Sequence, residues 1–153
     1  MAALAAAGGC AAVGGGTVCT DMAAIEGVSL SVAPSEAAEV ESGTMELCRG
    51  GDCEEHDLRF RPETTSVDEG CDDGACSARA EPTGGLTANV QMDRLTTDRM
   101  DVHIELRDSG GEELFSGDLT TAAETSYPNG PDCGAGPPQL GLKIEDGSLQ
   151  KRG

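Results

Sequence analysis

The sequence has few aromatic residues and few positive charges. Its 153 residues contain no Trp, one Tyr and two Phe, and 10 Lys and Arg stand against 28 Asp and Glu, for a formal net charge of −18. A field of this sign repels phosphate backbones and anionic headgroups, which argues against nucleic acids and electrostatic membrane binding. The shortage of aromatics argues against base-stacking platforms and Tyr- or Trp-rich hot spots. Basic partners and cations remain.

Long apolar runs and catalytic signatures are also missing. No apolar run reaches the roughly 18 residues that a membrane-spanning helix needs. The chain lacks a Gly-x-Ser-x-Gly elbow, a His-Glu-x-x-His motif and a glycine-rich phosphate loop. Two histidines leave few ways to build a Ser or Cys triad. We therefore expect no catalytic residues, no cofactor and no enzymatic activity.

The N-terminal residues have the composition of an export signal. Residues 1–9 read MAALAAAGG and run directly into Cys10. The stretch Ala7-Gly8-Gly9-Cys10 resembles a bacterial lipobox, with Ala7 where Leu is usual, and in a lipobox the cysteine is acylated and becomes the new N-terminus. We predict that residues 1–18 are a signal-peptide remnant, lipobox and Gly/Ala-rich tether, with Cys10 as the lipidation site. Ordinary secretion and a cytosolic start are the alternatives.

Six further cysteines form an even set, which predicts three disulfides in an oxidising compartment. Four turn-forming or polar residues separate Cys48 from Cys53 and Cys71 from Cys76, so each pair is expected to form a tight clasp. Cys19 and Cys133 then remain to pair with each other. The competing hypothesis is one zinc ion held by the four thiolates of the two Cys-x4-Cys pairs.

Period-two alternation of apolar and polar residues predicts short strands with one buried face. No helix longer than a few turns is evident, and Thr20–Ile25 is the best helical candidate. Residues 19–153 are thus expected to form one all-β domain, an immunoglobulin-like antiparallel β-sandwich of about seven strands stapled by disulfides; a small barrel would show the same pattern. The expected strands are centred on residues 28–32, 45–48, 58–61, 86–92, 100–106, 114–119 and 140–144.

Several of these features together resemble small lipoproteins and secreted proteins of high-GC Gram-positive (actinobacterial) bacteria. They are the small residues before Cys10, Cys19-Thr20 ahead of a strand, the pair Cys48 and Cys53, and the late segment Pro128-Asn129-Gly130-Pro131-Asp132-Cys133. The resemblance extends over most of the chain. It implies an exported location and a β-sandwich fold, and it implies no particular activity.

Two histidines lie among carboxylates. His103 falls between Asp101 and Glu105 on the polar side of its strand, which could form a metal-ligand row, but a solvated strand face is the expected arrangement. His56 follows a clasp, where a weak divalent-cation site is conceivable and a solvated loop is again expected. The acidic residues around it are Asp52, Glu54, Glu55 and Asp57.

A second acidic loop and an arginine pair complete the candidates. Residues 68–74 contain Asp68, Glu69, Asp72 and Asp73, with spacing that does not fit an EF-hand loop. Arg59 and Arg61 could take a carboxylate from a partner, although pairing with cross-strand Asp or Glu is the expected arrangement.

The sequence as a whole predicts a non-catalytic exported protein of the cell envelope. We expect a monomeric, lipid-anchored or secreted β-sandwich at the extracellular face of the membrane, acting as a binding or structural accessory. Its partner would be an envelope protein or ligand, with no nucleic acid and no membrane contact beyond the lipid. A metal-binding module, with zinc at the thiolates or weak calcium in the acidic loops, is the alternative.

Overall fold

A computed structural model describes residues 18–153, and Cys10 with most of the predicted signal and tether lies outside them. Ten strands, one short α-helix and one 3-10 turn make up this part of the chain. In order they are β1 (Gly27–Val32), α1 (Pro34–Ala37), β2 (Ser42–Arg49), β3 (Asp52–Asp57), β4 (Arg61–Asp72), β5 (Ala75–Gln91), β6 (Arg99–Arg107), β7 (Glu113–Ala122), β8 (Glu124–Thr125), the 3-10 turn (Pro131–Cys133), β9 (Pro138–Glu145) and β10 (Ser148–Lys151).

The strands form two sheets that pack face to face. One sheet has the order β10-β9-β1-β5-β4, with β8 beside β9, and the other has the order β3-β2-β6-β7. Their inner faces supply a single apolar core dominated by Leu, Ile, Val and Met side chains. The alternation of residues along β6 shows most clearly how the inner faces become apolar. Met100, Val102, Ile104 and Leu106 are buried, while the residues between them face outward. The predicted all-β sandwich is confirmed; its immunoglobulin-like connectivity stays a prediction.

One strand pair departs from the antiparallel expectation. β1 lies between β5 and β9, and it pairs with β5 antiparallel and with β9 in parallel. Sequence periodicity is the same for both orientations, because side chains alternate identically in parallel and antiparallel strands. The residues of β9 therefore could not predict whether this strand pairs with β1 in the parallel or the antiparallel direction.

Both short disulfides close the ends of hairpins. Cys48 faces Cys53 across β2 and β3, and Gly50-Gly51 alone makes the turn, with φ of 57° and 95°. Cys71 faces Cys76 across β4 and β5, where Asp73 and Gly74 have φ of 48° and 84°. Two-residue hairpin turns of this kind need positive φ at both central positions, which glycine and aspartate tolerate best. The turn residues therefore bring each pair of cysteines into register.

The β4–β5 hairpin extends beyond the sandwich as an arm. Between Glu63 and Thr83 nearly every residue is exposed, and no residue of this stretch belongs to the core. The arm was missed as strand because it has no buried face and so no apolar alternation. Arg79 bridges Glu69 and Glu81 on its surface, at 3.3 and 2.6 Å. A two-stranded ribbon is marginally stable alone, so the clasp at its tip has a clear structural role.

Two local predictions were wrong. The expected strand at residues 58–61 is the connector between the sheets: Leu58 belongs to the core, Phe60 packs against it, and β4 starts only at Arg61. The expected helix at Thr20–Ile25 is irregular chain. Asn129 holds it instead, accepting hydrogen bonds from Thr20 Oγ1 and Met22 N and donating to Met22 O. Six residues are too few to nucleate a stable helix.

Candidate functional site

Three disulfide bonds frame the domain. They join Cys19 to Cys133, Cys48 to Cys53 and Cys71 to Cys76, which are the predicted pairs. The first links the irregular segment before β1 to the 3-10 turn before β9, across 114 positions of sequence. Three disulfides in one small domain are typical of an extracellular or otherwise oxidising environment.

The four cysteines of the zinc hypothesis do not come together. One pair closes the β2–β3 hairpin and the other closes the arm, so the two pairs belong to different sheets. Within residues 18–153, one group of three metal-ligating atoms lies close enough to share an ion, on Glu46, Cys48 and Cys53. Both of its sulfurs are in a disulfide and offer no thiolate, which is the form that binds metal. The acidic residues predicted around His56 and in the arm form no such group in the described chain.

His103 lies on the outer face of the four-stranded sheet. Its Nδ1 is 2.8 Å from Asp118 Oδ1 on β7, and its Nε2 is 3.7 Å from Glu105. Arg107 donates to Glu105 at 2.7 Å, while Asp101 accepts from Thr120 instead of approaching His103. The metal-ligand row considered along β6 is therefore wrong for Asp101. The carboxylate that contacts His103 is that of Asp118, on the adjacent strand.

This contact predicts a pH-dependent increment of stability. The hydrogen bond that His103 Nδ1–H donates to the Asp118 carboxylate, with a smaller effect of Glu105, holds the pKa of His103 above its ordinary value near 6.5. The stabilisation is thus complete below about pH 6.5 and is lost as pH rises through the folded pKa. Because the side chain is 35 % exposed, solvent screens the pair and the change should stay below about 1 kcal/mol.

An NMR titration of the His103 ring and denaturation at both ends of that range measure the effect. Asp118→Asn should return the pKa of His103 towards its ordinary value and flatten the pH dependence of stability. An unchanged titration in Asp118→Asn would show that the pair is not formed.

A cavity with a volume of about 730 Å³ lies on the outer face of the larger sheet. Its floor is a row of outward-facing residues on three neighbouring strands: Gly141 on β9 faces Ser29 on β1, which faces Asn89 on β5. The rim comes from Ile25-Glu26 before β1 and from residues 124–126. The lining is polar and apolar in about equal parts, because Ile25, Val28 and Val90 lie beside the polar side chains.

Arg152 lies across this floor. Its backbone N–H donates to Gly141 O at 2.9 Å, and its Nη2 and Nη1 donate to Ser29 Oγ at 2.8 Å and Ser31 Oγ at 3.4 Å. A Cβ on Gly141 would lie 3.3 Å from Arg152 Nε, so the glycine leaves the space that the arginine side chain occupies. The guanidinium of Arg152 therefore lies over β1. Arg152 itself follows β10, which is two strands away from β1 in the sheet.

Arg61 reaches the same cavity from the other side. It is the first residue of β4 and faces Thr87 of β5. The predicted ladder of Arg59 and Arg61 with cross-strand acids is not formed, because no carboxylate of the described chain lies within 4.0 Å of either guanidinium, and Arg59 belongs to the inter-sheet connector. Arg152 likewise has no ion-pair partner among residues 18–153.

A second cavity, of about 720 Å³, collects three further arginines near the β2–β3 turn. Arg49 donates to the backbone O of Arg94 at 2.6 Å, and Arg99 completes the group. Both cavities have as many carboxylates as arginines: Asp52, Glu54 and Asp98 line the second, and Glu26 and Glu124 line the first. The first cavity is the stronger candidate because its acids have their own partners: Glu26 accepts from Leu95 N, and Glu124 pairs with Lys151 at 2.6 Å.

Sequence reasoning singled out Arg61 and missed the rest of this cavity. Arg152 and Ser29 are 123 positions apart, and only the sheet order brings them together. The outward positions of β1 and β9 are Ser, Gly, Gln, Lys and Glu, which indicated nothing more than a solvated face.

No helix among residues 18–153 is both long and apolar enough to cross a membrane. Comparison of the chain with protein-family models, with curated proteins and with solved structures finds no match.

Proposed function

We propose that the protein is an exported, non-catalytic binding or structural accessory of the cell envelope. The observation that carries this proposal is the set of three disulfides within one small domain. Disulfides form and persist in secreted and surface proteins and are rare where thiols are kept reduced. The core is built almost entirely from aliphatic side chains, and covalent links offset what so small a core lacks.

The proposal places a lipid anchor at Cys10. The small residues before Cys10 have lipobox-like composition, and residues 11–18 are small and Gly-rich. Such a composition is typical of a tether between an anchor and a folded domain. It would let a domain held by Cys10 stand away from the membrane surface.

A binding role is favoured over catalysis by the placement of polar groups. His103 lies on an exposed sheet face. His56 lies on β3, directly opposite the buried Met45 of β2. The cavity on the larger sheet instead offers hydroxyl, amide and guanidinium donors, and within residues 18–153 its carboxylates on Glu26 and Glu124 accept from Leu95 N and Lys151 Nζ, not from a hydroxyl. Donors of this kind hold a ligand and do not by themselves break its bonds.

Labelling with a fatty-acid analogue in the native host, followed by fractionation, tests the proposal. We expect the native protein to take the label and to sediment with membranes, and Cys10→Ser to remain unlabelled and to leave the membrane fraction. Cys71→Ser/Cys76→Ser is the matched control, since it replaces cysteines other than Cys10 and should keep the label. A native protein without label, together with Cys10→Ser that stays membrane-bound, would overturn the anchoring.

A further inference from the structure

We propose that the cavity on the larger sheet is an anion-binding site, in which Arg152 and Arg61 hold a carboxylate or phosphate group of a ligand. This deepens the binding role proposed above by naming the chemical class of its ligand. The site lies on the row Gly141, Ser29 and Asn89, with Arg152 over the row and Arg61 at its far side.

First, the Arg152 side chain is held in position and still has N–H donors that its contacts do not use. A guanidinium has five N–H donors in a fixed fork, and within residues 18–153 that of Arg152 makes two contacts, to the hydroxyls of Ser29 and Ser31. The Ser29 hydroxyl accepts from Arg152 and keeps its own O–H for a ligand. The planar fork suits carboxylate and phosphate oxygens, which it can bind in pairs.

The second step is that the local acids do not occupy the arginines. Glu26 accepts the backbone N–H of Leu95, and Glu124 forms an ion pair with Lys151 at 2.6 Å. In a chain with 28 acidic residues against 10 basic ones, intramolecular partners for arginine are abundant. Arg152 and Arg61 have no ion-pair partner among the described residues, a property they share with Arg49, Arg59, Arg94 and Arg99, so both guanidiniums are available in this cavity.

The third step concerns the net charge, which at long range repels an anion. At physiological ionic strength the Debye length is about 8 Å, so charges spread over the rest of the surface are largely screened. Direct charge-assisted hydrogen bonds at contact distance are weakened far less. The global field should lower the association rate and hold the affinity to a modest value, while the local donors decide which ligand binds.

The fourth step concerns the size of the ligand. Arg152 reaches β1, and Arg61 starts on β4, two strands away, which is about 10 Å at the usual strand spacing. The floor between them contributes Asn89, an amide that can donate or accept. A cavity of about 730 Å³ has room for more than a bare oxyanion, so the anionic group is expected to belong to a larger polar molecule.

The test is an NMR titration of the full-length oxidised protein, labelled with ¹⁵N. Sodium phosphate and sodium acetate are the two probes, and sodium chloride at matched ionic strength and pH is the reference. We expect saturable shifts of the Ser29, Asn89 and Gly141 amides with one or both probes. The acetate and phosphate arms separate a carboxylate ligand from a phosphate ligand.

Variants assign the shifts to the arginines. Arg152→Gln and Arg61→Gln should each weaken binding about tenfold, the usual effect of losing a charge-assisted hydrogen bond. Arg59→Gln, which removes an equal charge outside the cavity, should bind as the native protein does. Gly141→Val keeps both guanidiniums and should weaken binding by displacing Arg152.

Two results would overturn the proposal. One is that chloride produces the same shifts as phosphate and acetate. The other is that Arg61→Gln and Arg152→Gln, each with a native-like spectrum, bind as tightly as Arg59→Gln. Neither result bears on export or lipidation, which the labelling experiment reads separately.

Discussion

Replacing Cys19 and Cys133 together with Ser is expected to lower the free energy of unfolding by about 4–5 kcal/mol. The bond closes a loop of 114 positions, and the chain-entropy estimate for a loop of that length is in this range. A domain of this size has about 5–15 kcal/mol of stability in total. The melting temperature should therefore fall by roughly 10–15 °C, as measured by calorimetry with chemical denaturation in parallel.

The matched control is Cys71→Ser/Cys76→Ser, which removes the same two sulfur atoms from the tip of the arm. This bond spans only 5 positions, and the same estimate gives about 2 kcal/mol or less. The arm carries none of the core, so opening its tip should raise hydrogen exchange there and leave the sandwich intact. Equal losses of stability in the two variants would contradict the role assigned to the long disulfide.

Gly27→Ala is expected to destabilise the protein by about 2–4 kcal/mol through overpacking and backbone strain. Gly27 begins β1 with φ of 157°, and a Cβ there would lie 2.2 Å from the backbone O of Val90. Backbone atoms of a central strand cannot move aside as the end of a flexible side chain can. The start of β1 would have to leave β5, and it pairs with β9 at the same positions.

Gly111→Ala provides the control for backbone conformation without a clash. Gly111 has φ of 83° in the turn after β6, and a Cβ there meets nothing within 4 Å. We expect this variant to lose about 1–2 kcal/mol, the cost of a left-handed conformation for a residue with a Cβ. Urea denaturation of both variants measures the difference. A loss in Gly27→Ala no larger than that in Gly111→Ala would show that β1 and β5 are not packed as described.

Strands with one buried face could be predicted from the sequence because the period-two pattern survives there. β1, β6 and β9 all alternate buried and outward residues. The arm formed by β4 and β5 has no such pattern, since both of its faces meet solvent. The connector at Leu58 and Phe60 has the period-two alternation but forms no strand, because its apolar side chains pack into the core from a segment that joins the two sheets.

The disulfides and the cavity differ in how far apart along the sequence the residues that form them lie. Cys48–Cys53 and Cys71–Cys76 could be predicted because each is contained in one hairpin whose turn residues lie between the cysteines. The third pair followed by elimination. The cavity depends on the order of four strands and on a side chain at Arg152 that crosses Gly141 to reach Ser29. No spacing in the sequence encodes that arrangement, and the departure of β9 from antiparallel pairing helps to create it.

The intact mass of the protein from its native host, alkylated with and without prior reduction, tests the central claim most directly. An exported domain built on disulfides predicts that Cys19, Cys48, Cys53, Cys71, Cys76 and Cys133 alkylate only after reduction. It also predicts that Cys10 is the mature N-terminus and carries lipid mass. Seven cysteines that alkylate freely, on a chain with an unprocessed N-terminus, would mean a reducing compartment and would contradict the account.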